Sequence, residues 1–209
     1  MIFKTPLFEI PVYKLKASKH VEIKQWMIDN IYPDFEKNGP NESSRNLYSS
    51  YFPGAPKLDR AKFSEFYKAD INSFLDKAGF SRLHNWETKL NFWYNLSSKD
   101  SYQEVHDHLG GPVPISYSAI HYVIFDKTEH RSTVFYNPLE SIIKSLQPTT
   151  KEQFRPTDYQ SLQKFLDVEE GDLIIFPSYV PHSVSKQESE VPRLTVAINI
   201  SVYEREAYE

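Results

Sequence analysis

Residues 193–201 read RLTVAINIS. Side chains of a strand alternate between faces, so Leu194, Val196, Ile198 and Ile200 form one apolar stripe, while Arg193, Thr195, Ala197 and Asn199 form a polar or small one. The stripe is predicted to pack under helices. The other face must then look into a barrel interior, where a guanidinium is stable only beside an acid or an anion. Arg193 therefore has two readings: a structural ion pair, or a contact to a ligand carboxylate, which its planar fork binds bidentately.

Working backward from this strand, the segments KLNFWYNL, ISYSAIHYVIF, STVFYN, LQKFLDV and GDLIIFP have strand length and composition and are separated by turn residues. Short strands in series predict a sandwich or barrel. The front of the chain differs. LFEIPVYK (7–14) reads as an edge strand interrupted by Pro11. In HVEIKQWMIDNIYPDF the period shifts to helical, with Val21, Trp26, Met27 and Ile31 on one face and Pro33 as the stop. Residues 37–58 read as a loop. Asp59 is predicted to cap a second helix carrying Phe63, Phe66, Tyr67, Ile71, Phe74 and Leu75 at three- and four-residue intervals. The whole is mainly β with flanking helices, and a single domain spans 1–209, with a strand and supporting helices in 1–87.

Hydrophobic residues make up 40% of the chain and aromatics 15%, enough for a sizeable core. The formal net charge is −4, from 24 basic and 28 acidic side chains without long runs of one sign. That excludes general nucleic-acid binding, which needs clustered cations. With no cysteine, neither disulfides nor thiolate chemistry can operate. No apolar run approaches the length of a membrane span, and a cytoplasmic location is expected.

Residues 102–111 read YQEVHDHLGG. On a strand His106 and His108 share a face and Asp107 takes the other, so two imidazoles can meet one metal ion. His182 follows GDLIIFPSYVP, where Pro177 and Pro181 bend the chain at a strand edge. Two ligands from one strand and a third from a distant one make a facial triad with open positions, suited to Fe(II). His20, His84, His121 and His130 lack such company and read as structural or surface residues. The segment from Asn137 to about Tyr159 is too long for a simple connection and reads as a lid or a surface insertion.

Together, Trp93 and Asn95, Gln103, His106 and His108, Ser118 and Tyr122, Phe135 with Asn137 and Pro138, Gly171 to Pro177, His182 with Val184, and Arg193 with Thr195 and Asn199 resemble a family of small Fe(II)/2-oxoglutarate-dependent oxygenases. The resemblance covers about residues 91–200. Arg193 lies eleven residues beyond His182, with Thr195 two further on, close to the superfamily spacing.

The resemblance implies a double-stranded β-helix, a cupin-like jelly roll whose core occupies 88–209, with Fe(II) held by His106, His108 and His182. It implies 2-oxoglutarate as cosubstrate and O2 as oxidant, with Arg193 and Thr195 on the distal carboxylate and Tyr122, Asn199 and Asn95 nearby. Trp93 and Tyr94 would shape the substrate end or simply pack. The implied reaction is hydroxylation of a C–H bond with release of succinate and CO2. Its substrate would be a small molecule or an amino-acid or protein side chain, with no membrane partner, and a homodimer is allowed.

One departure stands out: the superfamily's third position is usually Asp or Glu, and here it is His108. Asp107 could replace it only through a bulge. Two other readings accommodate the residues. One is a three-histidine cupin-like dioxygenase without 2-oxoglutarate, and the other a non-catalytic jelly-roll module that binds a ligand.

Overall fold

The computed structural model describes residues 9–80, 86–110, 114–140 and 162–204. The stretch quoted above opens a twelve-residue strand, Arg193–Glu204 (β10), which lies between Trp86–Ser97 (β3) and Tyr117–Ile124 (β5), antiparallel to both. Tyr13–Lys16 (β1), Leu47–Ser49 (β2) and Asp172–Pro177 (β8) complete a six-stranded sheet of order β1-β8-β5-β10-β3-β2. A second, four-stranded sheet joins Gln103–His106 (β4), His182–Val184 (β9), Thr133–Tyr136 (β6) and Gln163–Phe165 (β7) in that order. All pairings are antiparallel, and the two sheets form the double-stranded β-helix.

The alternation in β10 decides where each layer sits. Leu194, Val196, Ile198 and Ile200 are fully buried against the helices His20–Asn30 (α1) and Arg60–Lys77 (α3), beside Ile23, Met27, Phe63, Tyr67 and Phe74. Each such side chain contributes roughly 1.5–3 kcal/mol on burial. On the opposite face a smaller core of Tyr122, Ile174, Phe176 and Phe135 fills the space between the sheets. Among the described residues no helix is long and apolar enough to cross a membrane.

Several expectations need correction. Pro33 begins a helix rather than ending one: α1 stops at Asn30, and Pro33 lies in the first turn of Tyr32–Asn38 (α2). A first-turn proline loses nothing, because its missing N–H would have had no helical partner. Val21 is 74% exposed, whereas Met27 and Ile31, the residue that caps α1, are buried as expected, with Ile23 in the place given to Val21. The 37–58 segment contains β2, whose buried Tyr48 packs on Tyr94 of β3. Of LQKFLDV only three residues form a strand, all exposed. Pro11 precedes β1 rather than interrupting it, and β1 is an edge strand as anticipated. The Asp59 cap is present, its side chain accepting from Lys62 N at 3.1 Å.

Candidate active site

His106 ends β4 and His182 begins β9, and the two are paired across the ladder. The next pair along is Gln103 with Val184, three residues on one strand against two on the other. This bulge turns both Gln103 and His106 inward, which strict alternation would forbid. His108 lies beyond the end of β4, not on it, and its backbone N–H donates to Ser178 O at 3.0 Å. The strand register expected for the His-x-His pair is thus replaced by a bulge and a loop. The rings still converge: centroids are 4.4 Å apart for His106 and His182, 5.0 Å for His108 and His182, and 5.4 Å for His106 and His108. Their ligand nitrogens lie within 4.8 Å of one another. Asp107 is exposed, and its carboxylate accepts from Leu109 N at 3.0 Å.

Each imidazole meets a carbonyl acceptor at Nδ1. His106 faces Glu104 O at 2.8 Å, His182 faces Val180 O at 3.1 Å, and His108 faces Asn199 Oδ1 at 2.5 Å. A carbonyl only accepts, so Nδ1 carries the proton and the lone pair is on Nε2. Burial, followed by the two neighbouring imidazoles, pushes His182 down to about 3; burial lowers His108 as well. Rings that keep the Nδ1 proton for these carbonyls can offer Nε2 to a divalent metal ion.

From the imidazoles a chamber runs inward along the polar face of β10, past Ala197 and Thr195 to Arg193. Arg193 is 2% exposed, and its Nε and Nη2 have no hydrogen-bond partner among the described residues. Its guanidinium carbon lies 5.4 Å from the Tyr122 ring centre and 5.9 Å from that of Phe125. Burial lowers its pKa, the mark of a charge removed from solvent. The acid that the structural ion-pair reading requires is absent from the described residues. The Tyr122 hydroxyl is committed to Thr133, donating to Oγ1 at 3.0 Å and accepting from N at 3.3 Å. Asn95 pairs with Thr195 across β3 and β10 and lines the chamber.

Outside the imidazoles lies an open cavity of about 470 Å³. Trp93, Tyr51 and Phe52 form an aromatic wall, with ring centres 5.8 Å apart for Tyr51 and Trp93 and 5.4 Å for Tyr51 and Phe52. Arg45 also lines it, but both arms of its fork are engaged by Glu104. Arg45, Tyr51 and Phe52 come from the 37–58 segment, read from the sequence only as a loop, whereas Trp93 was among the residues expected to shape the substrate end or to pack.

The family model described as "Putative 2OG-Fe(II) oxygenase" matches residues 91–199. The chain belongs to this family. No curated protein matches it by sequence. The fold of the oxygenase is shared with solved structures of low identity. The Pseudomonas putida prolyl-4-hydroxylase is 11% identical, with a TM-score of 0.54 over 92% of each chain. HygX from Streptomyces hygroscopicus, solved with nickel, 2-oxoglutarate and hygromycin B bound, is 14% identical, with a TM-score of 0.53 over 92% of this chain and 83% of that one. The viral collagen prolyl hydroxylase of Paramecium bursaria Chlorella virus-1, a 2-oxoglutarate complex, is 10% identical, with a TM-score of 0.54 over 91% and 94%. Membership selects the oxygenase that uses Fe(II), 2-oxoglutarate and O2 over the two alternatives read from the sequence.

Proposed function

We propose that this oxygenase hydroxylates a C–H bond of a substrate admitted through the outer cavity, with Fe(II) on His106, His108 and His182 and the distal carboxylate of 2-oxoglutarate on Arg193 and Thr195. One observation carries the reading: a buried guanidinium whose Nε and Nη2 have no partner among the described residues stands at the end of a chamber that begins at three imidazoles placed to share a metal ion. An uncompensated buried charge is costly, and a carboxylate entering the chamber removes that cost. The HygX and viral hydroxylase structures, which hold 2-oxoglutarate in the same fold, support it.

When bound, iron and 2-oxoglutarate supply an oxidant that inserts one oxygen of O2 into the substrate C–H bond while the cosubstrate leaves as succinate and CO2. The protein's own residues do the rest. Arg193 orients the cosubstrate, Phe176 and Ile120 wall the chamber against water, and Asn95 and Gln103, which line both cavities, stand where substrate and cosubstrate meet.

The outer cavity constrains the substrate. Arg45 is held by Glu104, and Asp107 adds a carboxylate, so the described lining offers no free cation for a phosphate or carboxylate group. The substrate packs on Tyr51 and Trp93 beside these groups. The proposed compartment is the cytoplasm.

Calorimetric titration of anaerobic iron-loaded protein with 2-oxoglutarate tests the anchor. A charge-assisted hydrogen bond is worth about 1.5–3 kcal/mol, or about one to two decades of affinity. Arg193→Ala should weaken binding at least tenfold while leaving iron content and circular dichroism unchanged. Equal binding by both proteins would remove Arg193 from the site.

A further inference from the structure

We infer that Asn199 is the positioning residue that makes His108 a metal ligand. The inference rests on the reading of the three imidazoles as the iron site, and it concerns how one of them is kept competent.

The three rings are not held alike. His106 and His182 take their Nδ1 acceptors from backbone carbonyls two residues before them, Glu104 O and Val180 O, so their tautomers follow from local chain path. His108 takes its acceptor from a side chain ninety-one residues away. It also lies beyond the end of β4, where no ladder fixes the ring. Asn199 is fixed firmly by contrast: it sits within β10, flanked by Asn91 on β3 and Ser118 on β5. The Ser118 hydroxyl adds a clamp, 3.0 Å from His108 Nδ1, 3.3 Å from Asn199 Oδ1 and 3.1 Å from Ser178 Oγ.

Chemistry explains why such a clamp is needed here. A carboxylate in the third position of the motif is deprotonated at neutral pH and can ligate through either oxygen. An imidazole ligates only when the proton is on the opposite nitrogen. Replacing the carboxylate by His108 therefore creates a demand for a fixed acceptor at Nδ1, and Asn199 Oδ1 meets it at 2.5 Å. The acceptor also polarises the ring and raises its basicity toward the metal, partly restoring what the missing negative charge would have supplied. Asn199 thus acts through His108 rather than on the cosubstrate, the role suggested by its place in the R-x-T-x-x-x-N pattern.

The test is cobalt(II) affinity of the metal-free protein, measured by competition with a chelator at fixed pH and without 2-oxoglutarate. Removing an outer hydrogen-bond partner of a ligand typically costs about 10- to 100-fold in metal affinity. Asn199→Leu should lose that much and alter the visible spectrum of the cobalt protein. Asn199→Asp, which can only accept, should bind cobalt at least as tightly as the unmodified chain. Equal affinity in Asn199→Leu overturns the inference and leaves the triad standing. A loss in Asn199→Asp as large as in Asn199→Leu also overturns it, because the side chain would then be donating to His108 rather than accepting from it. If His182→Ala binds cobalt as well as the unmodified protein, the iron-site reading fails and the inference falls with it. Should Asn199→Leu fail to fold, the near-isosteric Asn199→Asp and the 15N shifts of the His108 ring in metal-free protein decide between the tautomers.

Discussion

Arg193 and His108 stand at opposite ends of one chamber, and each is incomplete without something the chain does not provide. Two guanidinium nitrogens, Nε and Nη2, have no acceptor among the described residues; the imidazole gives its Nδ1 proton to Asn199 Oδ1 and keeps its Nε2 lone pair for a metal ion. Asp107, between His106 and His108 in sequence, has neither property, because its carboxylate is exposed and accepts from Leu109 N. The expected outcome follows from this contrast. His108→Ala should lose iron by at least tenfold in affinity, on the scale of losing one ligand of three, whereas Asp107→Ala should retain it. Iron titrations on both variants check this, and the reverse order of effects would put the ligand on Asp107.

At the level of elements, β10 does the most work and was also the most readable. Its period of two places four large aliphatics on the helix side, and all four are fully buried there. Ile198→Ala should destabilise the protein by about 2–5 kcal/mol, the usual cost of emptying a packed aliphatic site. Urea midpoints at constant slope measure it, and a change under 1 kcal/mol would mean that the helix layer does not close on the sheet as described. The Asp59 cap was readable for a similar reason: both features depend on neighbours in sequence. The bulge in β4 was not, because it is defined by pairing with β9, more than seventy residues away. The same holds for Arg45 and Glu104, and for Asn199 and His108, whose partnerships exist only once the sheets are assembled. The convergence of His106, His108 and His182 was legible from residue type and spacing, but the mechanism that brings His108 in was not. The lid expected over 137–159 falls mostly on 141–161, outside the described residues. Asn137, where that segment begins, donates its N–H to Leu162 O, beyond the segment's expected end, at 2.9 Å.

Across the whole molecule, the helix layer is tied to the sheet by more than apolar contact. Glu170 can only accept, so the His20 Nε2–H faces its Oε1 at 3.5 Å, His20 Nδ1 accepts from His121 Nε2–H at 3.1 Å, and His121 Nδ1 accepts from the Tyr67 hydroxyl at 2.7 Å. One line of hydrogen bonds thus crosses from α3 through β5 to α1 and the turn before β8, and with both imidazoles neutral every donor in it meets an acceptor. Burial, and then the neighbouring His20, push His121 down to about 3; burial likewise lowers His20, against the opposing pull of Glu170. The sign is set by where the proton prefers to be. An unfolded histidine titrates near 6.5, so below that pH the unfolded chain takes up a proton that folded His121 refuses until about pH 3. The stabilisation is complete above about pH 6.5 and declines as pH falls toward 3, at about 1.4 kcal/mol per unit for this one site. Other buried imidazoles, including His130 and His182, act in the same direction, so a comparison is needed to isolate it. His121→Gln can still accept from Tyr67 and does not titrate. Urea unfolding free energies of the metal-free protein between pH 7.5 and 5 should therefore fall less steeply in this variant, by roughly 2 kcal/mol over the interval. Identical pH slopes in the two proteins would show that His121 is protonated within the fold, and that the line of hydrogen bonds runs differently.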